Sequence, residues 1–511
     1  MKIRMKSQRN APFKTPDISR LKNPVRALVF LLCLTSVAMS LFAFFPSQEI
    51  PKTPLLGFWQ GTMQTKIGPL EVYFVIERKD QNAYLAKITI PAQKVREMPI
   101  QEVRYVPPDL VLDMSSFGIR FEGKMAAEGD RIAGTFMIGP DRMDLVLRRS
   151  AGIPDMGRPQ EPKKPYPYEE IEVRFQNGEA GVFLSGTLTI PRGAGPFPAA
   201  VLLSGSGPQD RDSVIAGHRP FLVWADALTR MGIAVLRCDD RGVGKSGGDF
   251  HLATTADFAT DALAAWTFLA NYPGIDRRNV GFIGHSEGGL IGPMAAVRNP
   301  DVAFLVLLAG TGIPGDRLAL MQTEAVSKSR GAGAEAIRKE SKMYEGIFRI
   351  IQACPTAQEA EGELKKIVGE AVAGMSDSEK KELNVTKESL LADLEGILAD
   401  YGWNRFFLGY DPAIALGQVR CRVLALVGDK DTQVPADANL AAIEQALKTG
   451  GKSRYDIKKL PGLNHMFQTA QTGHPREYAK IDETIAPAVL KLVGDWILSE
   501  PGRPKGLDGH S

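Results

Sequence analysis

The 511-residue chain is 44% hydrophobic and 24% charged, an ordinary globular balance that speaks against wholesale disorder and against a multi-span membrane protein. Its net charge of +3 sits at one end. Residues 1–26 carry eight Lys or Arg against the single acid Asp17, which leaves a mildly acidic body, whereas a nucleic-acid binder would carry a basic stripe on its folded part. Four cysteines form neither a disulfide framework nor a metal-ligand spacing, and no metal or cofactor motif is present.

The basic tail runs into Ala27–Phe45, nineteen residues without a charge. This is the pattern of an export signal or of a single transmembrane anchor. Residues 1–50 are therefore expected to be a targeting segment. The rest of the chain would be periplasmic, extracellular or anchored to the membrane through 27–45. Residues 51–150 alternate with period two, as in Ala86, Ile88 and Ile90 and again in Ile119 and Phe121. Short turns separate these runs, which predicts seven or eight antiparallel strands in a small all-β barrel or sandwich. Residues 151–168 hold five prolines among charges, a semi-rigid extended linker.

From residue 169 to about 500 the pattern changes. Two strand-like runs, Ile171–Phe175 and Val182–Ile190, precede apolar strands alternating with amphipathic helices. The strands are Ala199–Leu203, Ile233–Leu236, Val280–Ile283, Phe304–Leu308, Val423–Val427 and Tyr455–Lys459. Such alternation predicts a mostly parallel sheet with helices on both faces, an α/β architecture. The gap of more than a hundred residues before Val423 reads as an inserted helical cap at about 313–410.

Chemistry enters at Gly284-His285-Ser286-Glu287-Gly288, directly behind a buried strand. Gly-x-Ser-x-Gly in that context is a nucleophile elbow, where Gly284 and Gly288 clear the backbone around a strained serine. A serine hydroxyl needs a base, and the base needs an acid to orient it. His465, in the loop after the last strand, is the candidate base, with His474 as its substitute; His285 beside the serine reads as a packing or hydrogen-bonding residue. Two acids follow the preceding strand in Gly428-Asp429-Lys430-Asp431. Asp429 is expected to shape the turn and Asp431 to reach the imidazole. Oxyanion donors would be the amides of Glu287 and of Ser206, the latter in Ser204-Gly205-Ser206-Gly207. Asp210, Arg211 and Asp212 read as a loop brace. Asp239-Asp240-Arg241-Gly242-Val243-Gly244-Lys245-Ser246 lacks the phosphate-loop spacing.

With these residues in place, the stretch from about 169 to 498 resembles the α/β-hydrolase superfamily, in particular bacterial carboxylesterases and serine aminopeptidase-like hydrolases. The shared motifs are SGSGPQDRD, DDRGVGKS, GHSEGG and GDKDTQVP. The resemblance implies a Ser286 acyl-enzyme with Asp431 and His465 as acid and base, and a Ser206/Glu287 oxyanion hole without cofactor. One departure is Ser204, where many members have histidine.

The expected activity is ester hydrolysis on a small-molecule substrate. The alternatives are a serine aminopeptidase or small-peptide amidase, for which Glu345, Glu388 and Asp393 are available to hold an ammonium group, and a thioesterase or acyltransferase. Phe406 and Phe407, with Trp403 and Tyr410, are candidates for an acyl pocket.

Overall fold

The computed structural model describes residues 55–499 apart from 66–67, 79–83, 94, 115–118, 139–140, 154–157 and 452–453. The apolar segment 27–45 and the targeting role expected of it lie outside the described residues. Among the described residues no helix is long and apolar enough to cross a membrane.

The first unit is an antiparallel meander: β1 (Gly57–Thr65), β2 (Gly68–Arg78), β3 (Tyr84–Ile90), β4 (Val95–Pro99), β5 (Glu102–Val106), β6 (Asp109–Met114), β7 (Ile119–Met125), β8 (Arg131–Ile138) and β9 (Asp141–Arg149). Nine strands stand where seven or eight were expected. Only Ile100 and Gln101 separate β4 from β5, and neither is a turn-forming residue, so the two short strands read as one run. The hydrogen-bonded order is β4-β3-β2-β1-β9-β8-β7-β6-β5, and β3 also touches β5, which rolls the sheet into a nearly closed barrel. Its interior takes one side chain in two from each strand, as the alternation requires. Trp59 is fully buried there. Its indole N–H donates to Leu55 O at 2.8 Å, and Arg149 lies over its ring at 4.1 Å.

The proline-rich stretch is docked rather than free. Arg158 is buried, and its guanidinium donates to the carbonyls of Ala216, Gly217, Ala479 and Ile481. Gln160 bonds Thr484 and Ile485. An arginine can do this because its five donors form a planar fork.

The second unit is an eight-stranded sheet of β10 (Glu169–Asn177), β11 (Val182–Ile190), β12 (Phe197–Leu203), β13 (Ala234–Cys238), β14 (Ile275–His285), β15 (Phe304–Leu308), β16 (Arg422–Gly428) and β17 (Tyr455–Leu460). The order β10-β11-β13-β12-β14-β15-β16-β17 is antiparallel at β10, β11 and β13 and parallel from β13 onward. This is the α/β-hydrolase fold. Strands such as Val423–Val427 are buried on both faces, which is why they read as unbroken apolar runs. One face is covered by α1 (Pro220–Arg230) and by a helix near the C-terminus, Pro487–Leu498, through Phe221, Trp224, Val489 and Val493. The other face is covered by α2 (Thr255–Ala270), α3 (Gly288–Arg298) and a later helix, Ala436–Thr449, through Phe258, Trp266, Ile291 and Ile443.

Between β15 and β16 the inserted cap comprises α4 (Gly315–Ser329), α5 (Ala334–Ala353), α6 (Ala357–Ala373), α7 (Asp377–Leu383), α8 (Lys387–Ala399) and α9 (Tyr401–Gly409). Thr356, Ser376 and Thr386 punctuate it, each accepting an N–H at the start of the helix that follows. The cap has an apolar core of its own, including Phe348, Ile351, Leu364 and Leu394.

Replacing Arg158 by Ala leaves four carbonyls of the hydrolase unit without their donor. We expect a loss of about 2–4 kcal/mol in unfolding free energy and faster proteolytic nicking around residue 158, both read against the wild type; an unchanged denaturation midpoint would show the clamp to be idle.

Candidate active site

Ser206, Ser286, Asp431 and His465 each follow the C-terminal end of a parallel strand, where a crevice opens above such sheets. Ser286 follows β14, which runs between β12 and β15. Its φ is 55°, a left-handed value that costs a non-glycine residue energy and is held by its surroundings. Those surroundings explain the flanking glycines. A Cβ at Gly284 would lie 2.0 Å from Gly288 O, and one at Gly288 would lie 2.3 Å from Leu203 O. Only glycine lets the turn close this tightly.

Asp431 and His465 come together at this crevice. His465 Nδ1 and Asp431 Oδ2 are 2.8 Å apart, and both residues are buried. The other Asp431 oxygen accepts the N–H groups of Gln433 and Val434 at 2.8 Å each, so the carboxylate is fixed before it meets the imidazole. Ser286 and His465 line one small pocket, about 70 Å³. No hydrogen bond between Ser286 and His465 occurs among the described residues, and such bonds commonly tighten only when substrate arrives.

The remaining histidines and acids separate by their contacts. His285 Nε2 lies 3.0 Å from His465 O and its ring packs 4.7 Å from that of His465, so it braces the loop that carries His465. Burial first, and then the neighbouring His465, push its pKa down to about 3. His474 caps a short helical turn, accepting from Arg476 N–H at 3.0 Å, and does not line the pocket. Asp429 accepts the Gly462 N–H at 2.7 Å and shapes the turn. Arg211 pairs with Asp239 at 2.8 Å and Asp212 with Arg237, which makes Asp210–Asp212 a brace. In the loop after β13, Ser246 bonds Ser185 and Asp239, so that segment is occupied with internal contacts.

Ser206 lies in the loop after β12, close over Ser286: a Cβ at Gly205 would lie 3.2 Å from Ser286 Cβ. Among the described residues, neither the Ser206 nor the Glu287 amide donates to a protein acceptor. The Glu287 amide opens α3, where the helix dipole favours negative charge. Sequence reasoning missed what holds this loop. Asp240 accepts the Ser204 hydroxyl at 2.7 Å and the Gln209 N–H at 2.9 Å. Burial raises its pKa to about 8 in spite of those two donors. The doubled acid directly behind a buried strand was the available signal.

The aromatic cluster divides. Phe407 lines the pocket together with Leu318, Val434 and Met466. Phe406 does not; it stacks on Tyr410 at 5.6 Å, because neighbouring positions on a helix face different ways. Glu345, Glu388 and Asp393 are also not pocket-lining residues. They sit on α5 and α8. Among the described residues no group of three or more His, Cys, Asp or Glu is arranged to hold a metal ion.

Known proteins resemble parts of this chain. Residues 221–342 match the family of serine aminopeptidases, S33; this span holds Ser286 and ends before Asp431 and His465. The esterase EstD of Thermotoga maritima is 36% identical over 135 residues, covering 26% of this chain and 31% of that protein, so the match spans about a third of the curated relative. Among solved structures, the Pyrococcus furiosus esterase Pf2001 is 16% identical over 65% of this chain and 92% of its own, with a TM-score of 0.37. A dienelactone hydrolase from Anabaena variabilis is 17% identical over 65% of this chain and 98% of its own, with a TM-score of 0.35.

The two shifted groups act on stability in opposite senses. Folded Asp240 keeps its proton up to about pH 8, whereas an unfolded aspartate loses it near pH 4; its contribution therefore fades as pH rises toward 8. His285 stays neutral down to about pH 3 while its unfolded counterpart charges below about pH 6.5, so stability is lost as pH falls below that point. The two trends overlap and offset between about pH 4 and 6.5. Between about pH 6.5 and 8 the His285 contribution is constant, and Asp240 contributes a slope of at most about 1.4 kcal/mol per pH unit. Denaturation of Asp240→Asn across that window is expected to show a flatter decline than the wild type; parallel declines would remove Asp240 as the source.

Proposed function

We propose that this chain, an α/β-hydrolase, cleaves carboxylic esters of small molecules through an acyl-enzyme on Ser286. The observation that carries the reading is the buried Asp431–His465 pair, 2.8 Å apart, bordering the pocket that also holds the strained Ser286. His465 Nε2 takes the hydroxyl proton as Ser286 Oγ attacks the ester carbonyl. Asp431 holds the Nδ1–H tautomer and stabilises the imidazolium that forms. The negative charge that develops on the carbonyl oxygen falls to the Ser206 and Glu287 amides, fixed donors worth roughly 3 kcal/mol each. Collapse expels the alcohol, protonated by His465. Water activated by the same imidazole then releases the acid and restores Ser286.

Ester rather than aminoacyl chemistry follows from the charge of the pocket. Apart from the histidines and Glu287, its polar lining is neutral, including Ser213, Thr311, Gln322 and Gln433. The one carboxylate there, Glu287, is already engaged by Thr255 and Trp403. A substrate ammonium would find no free acid to hold it. The name of EstD supports the same reading, while the serine aminopeptidase family match keeps amide cleavage as the second reading.

Nitrophenyl esters of graded acyl length and aminoacyl nitroanilides, assayed side by side, separate the two. We expect ester turnover that favours short acyl groups, with amide turnover at least about a hundredfold lower. Ser286→Ala should lower kcat by about 10⁴-fold or more. Preference for the nitroanilides would make the enzyme a peptidase, and activity surviving in Ser286→Ala would overturn the mechanism.

A further inference from the structure

Nothing in the acyl-transfer steps uses the Glu287 side chain, yet it is among the most committed groups near the site. The residue is 3% exposed. Its Oε1 accepts the Thr255 hydroxyl and the Trp403 indole N–H, each at 2.7 Å, and the Ser206 side chain hydrogen-bonds the same carboxylate. These donors come from three separate segments. Thr255 opens α2, Trp403 lies on cap helix α9, and Ser206 belongs to the loop over Ser286. Among the described residues its hydrogen-bond partners are all neutral, so the acid is kept in the interior by aimed hydrogen bonds rather than by a salt bridge, an expensive arrangement for packing alone.

Two further contacts give the cluster a direction. Trp403 stacks on Phe407, with ring centroids 4.9 Å apart and planes 13° from parallel, and Phe407 is a wall of the pocket. On its other side the loop of Ser206 is tied down by Asp240, through Ser204 and Gln209. The loop is thus strung between two acids, and the Glu287 end leads to the cap through Trp403.

We infer that Glu287 is a positioning residue that couples the cap to the oxyanion hole: through Trp403 its carboxylate keeps the Ser206 loop and its own amide in register with the Phe407 wall. The inference rests on the proposed role of the Ser206 and Glu287 amides. A substrate that seats well against Phe407 then also aligns the donors, so the cap contributes to turnover as well as to fit.

Two variants test this in the full chain. Glu287→Gln keeps the shape and removes one acceptor oxygen; Trp403→Phe keeps an aromatic ring beside Phe407 and removes the N–H with part of the indole, which guards against a Glu287 variant that fails to fold. For a short-acyl nitrophenyl ester we expect kcat to fall about tenfold to a hundredfold in each, less than the loss of a whole donor, with KM within about twofold. Affinity for a trifluoromethyl ketone, which places a tetrahedral oxyanion on Ser286, should fall in parallel with kcat/KM. The double variant should lose no more than the worse single one, as coupled residues do. Wild-type kcat in the soluble variants, or additive losses, would overturn the coupling; a lowered melting point with unchanged kcat per active serine would mark a merely structural role and overturn it equally. Fluorophosphonate labelling of the wild type separates the two levels: absence of label on Ser286 removes the proposed function itself, whereas label on Ser286 with unaffected variants removes only the coupling.

Discussion

At the centre of the hydrolase unit three segments of backbone pass closer together than any side chain allows. A Cβ at Gly284 would meet Gly288 O, one at Gly288 would meet Leu203 O, and one at Gly289 would stand 2.6 Å from Gly310 Cα. The crowding forces the chain to reverse in one residue between β14 and α3, and Ser286 takes the left-handed conformation at that reversal. Much else is arranged around this approach. The reversal sets the serine above the sheet, aims the Glu287 amide at the start of α3 toward the same space, and brings the loop after β12 within contact of that serine. The strain is held by a sheet whose central strands are buried on both faces.

Electrostatics then divides the crevice into parts with separate tasks. On one side, Asp431 is fixed by two backbone donors and His465 by Asp431 and by the contact of its carbonyl with His285. On the other, the loop from Ser204 to Gln209 is suspended between Asp240 and Glu287. Both of these acids have pKa values raised chiefly by burial. The carboxyl groups nearest the Ser206 and Glu287 amides are therefore biased toward their neutral forms, which in the proposed mechanism would spare a developing oxyanion much of their repulsion.

The parts of this molecule that were legible in the sequence are those governed by local pattern. Parallel strands announce themselves by apolar runs, and each such run from Ala199 to Lys459 coincides with a strand of the sheet. Ser286, Asp431 and His465 could be chosen because each follows a strand end in the chain order such sheets require. What was not legible depends on contacts between distant segments. The split of β4 from β5 has no turn signal. The division between Phe407 and Phe406 is a matter of helix phase. The partners of Glu287 come from residues 32 and 116 positions away, and no periodicity encodes a bond of that span. The proline-rich linker misled in the same way: its composition speaks of extension, while one arginine within it docks the segment onto the hydrolase unit.

That docking has a consequence for the order in which the chain can be completed. Every strand of the barrel finds its neighbours within residues 57–149, so the barrel has all its partners as soon as that length has been synthesised, and N-terminal units generally fold first. Arg158 differs, because half of its acceptors, Ala479 and Ile481, lie close to the other end of the chain. The docking of the linker is therefore among the last contacts that can be made, and it closes onto a hydrolase unit whose final strand and His465 loop are already in place.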